Sequence, residues 1–331
     1  MCATRVDREA VLAFRAGANH LCVRLPAGSL AAAAHPGLQD SSPRSAVLAL
    51  HARVEDVRPN DWESDALVQV WGPRGAVYVV PKRDVGVFTL GVLPRDRARR
   101  AEREAVADAV LEALGRREMT GSDLTQHIPD IDHVAVRLAN ATGRLRIRWD
   151  GRDTTVTAAR RPRGGAELAR LELLRRHLRC VGPSTPEGFR WWAGLERDDA
   201  ERTWAGVGDE LAEVDVEGTA AWLLADDVGA LRRARQMRGV RLLPPGDPYL
   251  GGADRDRLVP QAAHRRAVWP PKNVWPGALL VDGEVAGTWR RQVRRVTITA
   301  WGALSTETRD AVEAEALSLP IEGPRASVKW T

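Results

Sequence analysis

Hydrophobic and polar residues follow a plan that occurs three times along the chain. Each time, segments with the apolar spacing of amphipathic helices precede two short runs of alternating apolar residues, which predict a β-hairpin. The predicted hairpins occupy residues 68–80, 145–158 and 211–224. Asp150-Gly151 in the second is a strong turn signal. The turns lie about 70–80 residues apart, a spacing typical of tandem small domains rather than of a solenoid.

Apolar helical stripes precede the second and third hairpins. One contains Val106, Val110 and Leu114, and the other runs from Leu168 to Leu178. Helices followed by a hairpin are the outline of a winged helix, in which a β-wing follows a helix-turn-helix. The sequence therefore predicts an α+β fold with three tandem winged-helix units. The expected units are residues 1–92, 93–163 and 164–239.

The character of the chain changes near residue 240. Closely spaced prolines between residues 244 and 276 exclude a long helix there. Residues 278–301 alternate like strands, with a turn at Asp282-Gly283, and residues 306–319 have the pattern of a closing amphipathic helix. We expect residues 240–331 to form a C-terminal β-rich element.

Composition indicates a globular protein. The 331 residues are 44% hydrophobic, which suffices for a large core. No apolar run reaches the roughly 18 residues of a membrane span, and the N-terminus lacks a secretory pattern. Three cysteines (Cys2, Cys22 and Cys180) are too few and too scattered for a disulfide framework. We expect a soluble, cytoplasmic protein.

Arginine dominates the charge of the chain. Of 49 basic residues, 46 are arginine, and the net charge is +5. Residues 144–179 carry eleven arginines against four acidic residues, and residues 255–295 carry nine basic residues against three. Residues 198–227, between them, hold ten acidic residues. The two basic surfaces would attract phosphate, although charge clusters are more often simply solvated faces.

Several catalytic motifs are absent from the sequence. It contains no G-x-x-x-x-G-K-[ST] motif, no G-x-G-x-x-G after a strand, no H-E-x-x-H or C-x-x-C and no G-x-S-x-G. Enzymes that depend on nucleotide hydrolysis, nicotinamide, zinc or a serine triad therefore become improbable. We expect no cofactor and no metal.

One polar cluster precedes a predicted helix. In residues 35–54, Ser42 suits the N-cap position and Pro43 the first helical position. Gln39, Asp40 and Ser41 would then lie in the turn that leads into this helix. Polar side chains at this place can bind a water, a phosphate or merely the backbone.

The same segment, HPGLQDSSPRSAVLALHARV, resembles the corresponding segment of the AlkZ-type winged-helix DNA glycosylases. Further similar segments extend the resemblance over nearly the whole chain. They are VWGPRGAVYVVP (70–81), GPSTPEGFRWWAGL (182–195), RLLPPGDPYLGGADR (241–255) and LVDGEVAGTWR (280–290). The resemblance implies three winged helices in a C shape around a basic channel.

Family resemblance also implies an activity. The resemblance implies a monofunctional glycosylase that excises bulky or crosslinked alkylpurines without metal or cofactor. Several members of that family protect producers of DNA-alkylating natural products. The family signature is Q-x-Q, or Q-x-D in a sister group, with an aliphatic middle residue. Here Gln39, Asp40 and Ser41 occupy these positions. We expect Gln39 to orient the attacking water, with Asp40 or Ser41 assisting.

Contacts with DNA are expected from six basic residues. They are Arg44 after the motif, Arg74 at the first wing tip, Lys82 and Arg83 beyond that wing, and Arg290 and Arg291 in the C-terminal element. The expected partner is double-stranded DNA with alkylpurine adducts, bound by a monomer. Trp191 and Trp192 are expected in the core or between domains. A non-catalytic DNA-binding regulator or damage sensor, and a protein that sequesters the drug, remain alternative functions.

Overall fold

The computed structural model describes residues 4–272, 274–293, 295–323 and 327–331, so Cys2 and Arg294 lie outside the described residues. Elements are numbered in chain order. The helices are α1 Arg8–Ala18, α2 Leu30–Ala33, α3 Ser45–His51, α4 Val85–Phe88, α5 Arg97–Leu114, α6 Gly121–His127, α7 His133–Ala139, α8 Ala166–Val181, α9 Pro186–Ala193, α10 Arg197–Ala205, α11 Val228–Arg232, α12 Arg255–Leu258, α13 Ala262–Val268 and α14 Thr306–Leu317. The strands are β1 Thr4–Val6, β2 Leu38–Gln39, β3 Leu67–Trp71, β4 Val77–Pro81, β5 Met119–Thr120, β6 Leu145–Trp149, β7 Thr154–Ala158, β8 Leu211–Val216, β9 Thr219–Leu224, β10 Val240–Leu243, β11 Gly277–Val281, β12 Glu284–Gln292, β13 Arg295–Ala300 and β14 Ser327–Trp330.

All three predicted hairpins form, as β3–β4, β6–β7 and β8–β9. The first two hairpins share one six-stranded sheet, because β3 pairs with β6 where Gln69 faces Ile147. The strand order is β2-β4-β3-β6-β7-β5. Strand β3 therefore lies between β6 and the β2–β4 pair that carries Gln39.

The third hairpin forms a separate sheet with the beginning of the chain. Strand β1 pairs in parallel with β8, with Arg5 opposite Asp215. Helix α1 packs on this sheet, since Val11 and Phe14 share a buried cluster with Val214 and Leu223. Parallel pairing of residues more than 200 positions apart leaves no local sequence signal. The boundaries predicted at residues 92, 163 and 239 stay a prediction.

Buried helix faces follow the predicted apolar stripes except at Leu168, the first residue of the second stripe, which is 68% exposed. Val110 and Leu114 of α5 pack with Ile147 of β6. Leu174 and Leu178 of α8 lie in a second cluster with strands β3 and β4. Within the described ranges, no helix combines the length and the apolar composition that crossing a bilayer requires.

A five-stranded sheet, in the order β10-β11-β12-β13-β14, forms the predicted C-terminal β-rich element. Helix α14 packs on it through Val312 and Ala316. Helix α3 packs on the same sheet, because Leu50 shares a buried cluster with Leu242 and Ile298. The fold is therefore mixed α+β, as predicted, and the segment that follows Gln39 is held by the C-terminal element.

A buried ion pair reinforces this contact. Arg53, just after α3, donates from Nη2 and Nη1 to the two carboxylate oxygens of Asp247, at 2.7 and 2.8 Å. Both side chains are 0% exposed. Arg53 Nη1 also donates to the Ala49 carbonyl oxygen, and Asp247 accepts the Tyr249 backbone N–H. Such a pair adds little net stability, but removing one partner leaves the other charge buried without a counter-charge.

Asp247→Asn should therefore lower the free energy of unfolding by about 3–5 kcal/mol, because the Arg53 charge would stay buried without its counter-charge. Denaturant unfolding monitored by tryptophan fluorescence measures this loss. Glu201→Gln is the matched control, since the Arg197–Glu201 pair is 72% and 59% exposed and such pairs contribute less than about 1 kcal/mol. Equal losses in the two variants would contradict the prediction.

Candidate active site

Gln39 is the last residue of β2 and lies opposite Tyr78 of β4. Its side chain is half-buried, and its Nε2 donates a hydrogen bond to the Ser41 hydroxyl at 2.9 Å. No described residue donates a hydrogen bond to the carboxamide oxygen of Gln39. The carboxamide is thus oriented on one side and keeps an acceptor available on the other.

A small cavity, which we call the Gln39 cavity, lies beside this side chain. Its volume is about 30 Å³. This volume exceeds the roughly 10–15 Å³ that a cavity needs to hold a water molecule. The lining side chains include Gln39, Arg74, Tyr78, Arg176, Trp191, Trp192, Arg255, Trp269 and Trp275, and Gly246 completes the wall. The site is therefore aromatic and cationic around a neutral amide.

Glycine suits position 246 because of its backbone conformation and its close contact with Gln39. A Cβ atom at residue 246 would lie 3.0 Å from Gln39 Oε1, closer than ordinary packing, and the φ angle of Gly246 is +78°. The next residue is Asp247, which the buried pair with Arg53 holds in place. The wall against which Gln39 rests is thus fixed by the core. Gly246 carried no separate signal in the sequence, because its proximity to Gln39 is purely tertiary.

Asp40 lies away from the Gln39 cavity. Its side chain is 0% exposed. One carboxylate oxygen accepts the Ala46 backbone N–H at 2.9 Å, and the other accepts Gln69 Nε2 at 3.0 Å. Asp40 therefore satisfies the start of α3 and links it to β3, and the structure does not bring it to Gln39 and Ser41.

The start of α3 differs from the sequence prediction. The helix begins at Ser45, and the N-cap position belongs to Arg44, which has a left-handed φ of 67°. Ser42 and Pro43 lie before the helix, so their predicted roles as N-cap and first helical residue are wrong. The physical reason is the carboxylate of Asp40, which reaches across the turn and accepts the helical N–H of Ala46 from outside.

Burial changes the pKa of the Asp40 side chain. Desolvation raises its pKa to about 6, against the smaller opposing effects of its hydrogen bonds and of Arg44. Gln69, which the sequence analysis missed, supplies one of these bonds and also accepts the Trp149 backbone N–H at 2.6 Å. A polar residue inside an otherwise apolar strand was the available signal for Gln69.

Arg44 is used within the protein. Its guanidinium lies 4.0 Å from the centre of the Trp62 ring and donates to the carbonyl oxygens of Trp149 and Asp150 at 3.3 and 2.9 Å. It thereby joins the start of α3 to the second hairpin. These contacts connect two elements of the fold. The predicted contact of Arg44 with DNA stays a prediction.

Arg74 and Ser41 both lie next to Gln39, and their predicted roles in DNA binding and catalysis stay predictions. Arg74 is exposed at the turn between β3 and β4 and lines the Gln39 cavity. Ser41 is exposed and also lines a neighbouring cavity of about 350 Å³, together with Arg137 and Arg152. Trp191 is half-buried and packs against the core cluster that contains the buried Trp192, and both residues line the Gln39 cavity.

The other predicted DNA contacts lie elsewhere on the surface. Lys82 and Arg83 are exposed and line a separate cavity of about 540 Å³. Arg290 is exposed and Arg291 is half-buried on β12, where burial lowers the pKa of Arg291. None of these four residues lines the Gln39 cavity. Their contact with DNA stays a prediction.

The raised pKa of Asp40 predicts a pH dependence of stability. Because the folded protein binds this proton more tightly than the unfolded chain, stability is highest below the ordinary pKa of 3.8 and falls as the pH rises to about 6. The loss amounts to about 3 kcal/mol for a shift of this size. Asp40→Asn cannot titrate, so the stability of the wild type relative to this variant should fall between pH 4 and pH 7. Unfolding curves over that range test it, and a constant difference would contradict it.

Comparisons with known proteins agree with this architecture. The sequence model of the family described as "DNA glycosylase AlkZ-like" matches residues 34–319. A Streptomyces sahachiroi protein named "Interstrand DNA cross-link repair glycosylase" is 33% identical over 148 residues, 44% of this chain and 40% of that protein. The match thus spans less than half of that relative.

The fold is also similar to a solved structure. "Streptomyces sahachiroi DNA glycosylase AlkZ" superimposes with a TM-score of 0.81 at 20% identity, over 99% of this chain and 100% of that chain. At this identity the likeness shows a common fold. Together with the family match over residues 34–319, it leads to one conclusion: the chain belongs to the AlkZ-like family of DNA glycosylases.

Proposed function

We propose that the protein is a DNA glycosylase that hydrolyses the N-glycosidic bond of bulky alkylated purines. The observation that carries the proposal is the carboxamide of Gln39, which is oriented by Ser41 and faces a cavity of about 30 Å³. One water molecule fits this space. Family membership and the cross-link repair glycosylase among its relatives support DNA as the substrate.

The chemistry suits a neutral amide. An N7-alkylguanine or N3-alkyladenine is already cationic, so the base departs without a general acid. The sugar then develops oxocarbenium character at C1′, and water must attack that carbon. The oxygen of Gln39 would accept a hydrogen bond from this water and orient it. The oxygen–carbon bond forms at C1′ as the bond to the base nitrogen breaks, and the released proton passes to solvent.

The three motif residues have different roles in this proposal. Gln39 holds the water, and Ser41 fixes the carboxamide by accepting its N–H at 2.9 Å. Asp40, at the position that is aliphatic in the family signature, points into the protein and caps α3. Its role is to place β2 and α3 relative to each other, so we propose it as a positioning residue.

The reaction is proposed to end at an abasic site. A lyase step would need an amine nucleophile that attacks C1′. No lysine is among the described residues that line the Gln39 cavity. We therefore propose a monofunctional glycosylase, whose product breaks only after treatment with alkali.

The architecture in this proposal is three tandem winged-helix units around a concave, basic DNA-binding face. The three hairpins, each after helices, and the position of Arg74 at the first wing tip support it. The proposal includes excision without drawing the base into a tight pocket, which suits large adducts. Self-resistance to a natural product that alkylates DNA belongs to the same proposal and rests on the family resemblance.

One experiment tests the activity. The purified protein is incubated with duplex DNA that carries a single N7-alkylguanine, and alkali then converts abasic sites into strand breaks. We expect cleavage at the modified base only. Binding without cleavage across several N7-alkylguanine and N3-alkyladenine adducts would instead favour a DNA-binding regulator or damage sensor, the alternative that the altered residues Asp40 and Ser41 favour.

Gln39→Ala should slow single-turnover excision by roughly ten- to a thousandfold, because the water loses the group that positions it. Asp40→Asn should stay within a few fold of the wild type, since the Asp40 carboxylate does not line the cavity. Rapid-quench assays at saturating protein measure both rates. Unchanged excision by Gln39→Ala, or a larger loss in Asp40→Asn, would refute the assignment.

Gly246→Ala should lower the excision rate several-fold, because the Gln39 carboxamide must move by a few tenths of an ångström to admit the new Cβ. The new Cβ would lie 3.0 Å from Gln39 Oε1. Gly28→Ala is the matched control, since Gly28 has a similar φ of +82° and nothing within 4 Å of such a Cβ. Similar excision rates in the two variants would contradict the prediction, because backbone strain alone would then explain the effect of Gly246→Ala.

A further inference from the structure

Two arginines contact the same tryptophan at the edge of the Gln39 cavity. The Cζ atom of Arg74 lies 5.0 Å from the centre of the Trp191 ring, and that of Arg255 lies 5.1 Å from it. The two guanidinium groups are therefore within about 10 Å of each other, because both distances end at the same ring. Arg74 comes from the turn between β3 and β4, whereas Arg255 opens α12.

Arg255 is held by aromatic rings. Besides Trp191, the rings of Trp269 and Trp275 lie 4.8 and 5.1 Å from its Cζ atom. Its Nε is buried without a hydrogen-bond partner, while the side chain as a whole is partly exposed. Three rings thus fix the direction of the guanidinium, but a cation–π contact does not neutralise its charge.

No acidic side chain neutralises this pair of arginines. Among the described residues, no carboxylate lies within 4.0 Å of a side-chain nitrogen of Arg74 or Arg255. The acid next to Arg255 in sequence, Asp254, is instead bound by Arg15 and Arg257, each at 2.8 Å. Burial, and to a lesser extent the positive charge of Arg74, lower the pKa of Arg255.

We propose that Arg74 and Arg255 form a clamp for the phosphodiester backbone of DNA beside the damaged nucleotide. This inference rests on the proposed function and extends it to Arg255, which the sequence analysis did not single out. Both arginines line the Gln39 cavity, so a backbone held by them would pass next to the carboxamide. The clamp would thereby place C1′ of the damaged deoxyribose against the water on Gln39.

A phosphodiester fits this pair better than the damaged base does. The planar guanidinium donates parallel hydrogen bonds to phosphate oxygens, and two uncompensated positive charges attract a polyanion. A cationic alkylpurine would be repelled by the same charges. The rings of Trp191, Trp269 and Trp275 keep Arg255 oriented before DNA arrives, which limits the entropy lost on binding.

The test is the salt dependence of binding to an undamaged duplex, which measures the number of phosphate contacts. Each lost phosphate contact should reduce the slope of log K against log salt by about 1. We expect this reduction in Arg255→Gln and in Arg74→Gln, and a reduction of about 2 in the double variant. Arg255→Lys should lose less of the slope than Arg255→Gln, because lysine keeps the charge but not the planar guanidinium that the three rings hold.

Arg309→Gln is the matched control. Arg309 is exposed on α14, lies 4.2 Å from the Trp330 ring and does not line the Gln39 cavity. Its loss should leave the slope unchanged. Thermal unfolding confirms that each variant is folded. An unchanged slope in a folded Arg255→Gln variant would overturn the clamp, as would an equal loss of slope in Arg255→Lys, because the charge would then not be the cause.

The binding assay separates this inference from the proposed function. If the wild type binds with the expected slopes but excises no alkylpurine, the clamp is supported and the glycosylase proposal fails. If the wild type excises alkylpurines while Arg255→Gln keeps the full slope, the clamp alone is refuted.

Discussion

The buried ion pair between Arg53 and Asp247 is the constraint on which the site depends. Arg53 follows the helix that begins after the Gln39 motif, and Asp247 follows Gly246, which touches the carboxamide of Gln39. A fully buried pair with two hydrogen bonds allows little sliding between these segments. Its main consequence is geometric, because net stability from such pairs is small. It fixes the wall of the cavity relative to the strand that ends at Gln39.

Charge around Gln39 explains why an amide suits this position. Arg74 and Arg255 line the cavity, and their positive charge favours the anionic backbone of DNA while it opposes a positive sugar. Arg176 also lines the cavity, but its charge is paired with Asp84 and Glu172. A neutral carboxamide can hold water there without an expensive desolvation of its own. The one carboxylate nearby in sequence, Asp40, is turned into the protein, where burial raises its pKa to about 6. The motif therefore separates a solvent-facing amide from a buried structural acid.

Local patterns predicted the elements well. The three hairpins were predicted because alternating apolar residues and turn dipeptides such as Asp150-Gly151 are local signals. The pairing of β1 with β8 and of β3 with β6 was not predicted, because no local pattern indicates a partner strand far along the chain. The same limit applies to Gly246 and Arg255, which reach Gln39 only through the fold. The burial of Asp40 was missed because a two-residue strand has too few positions to show which side faces inward.

A crystal structure of the protein at a resolution that shows ordered water tests the role of Gln39 most directly. We expect one water in the cavity of about 30 Å³, within hydrogen-bond distance of the Gln39 carboxamide oxygen and with Ser41 still bound to its nitrogen. A dry cavity, or a Gln39 side chain turned away from Gly246, would contradict the proposal that this amide positions the attacking water.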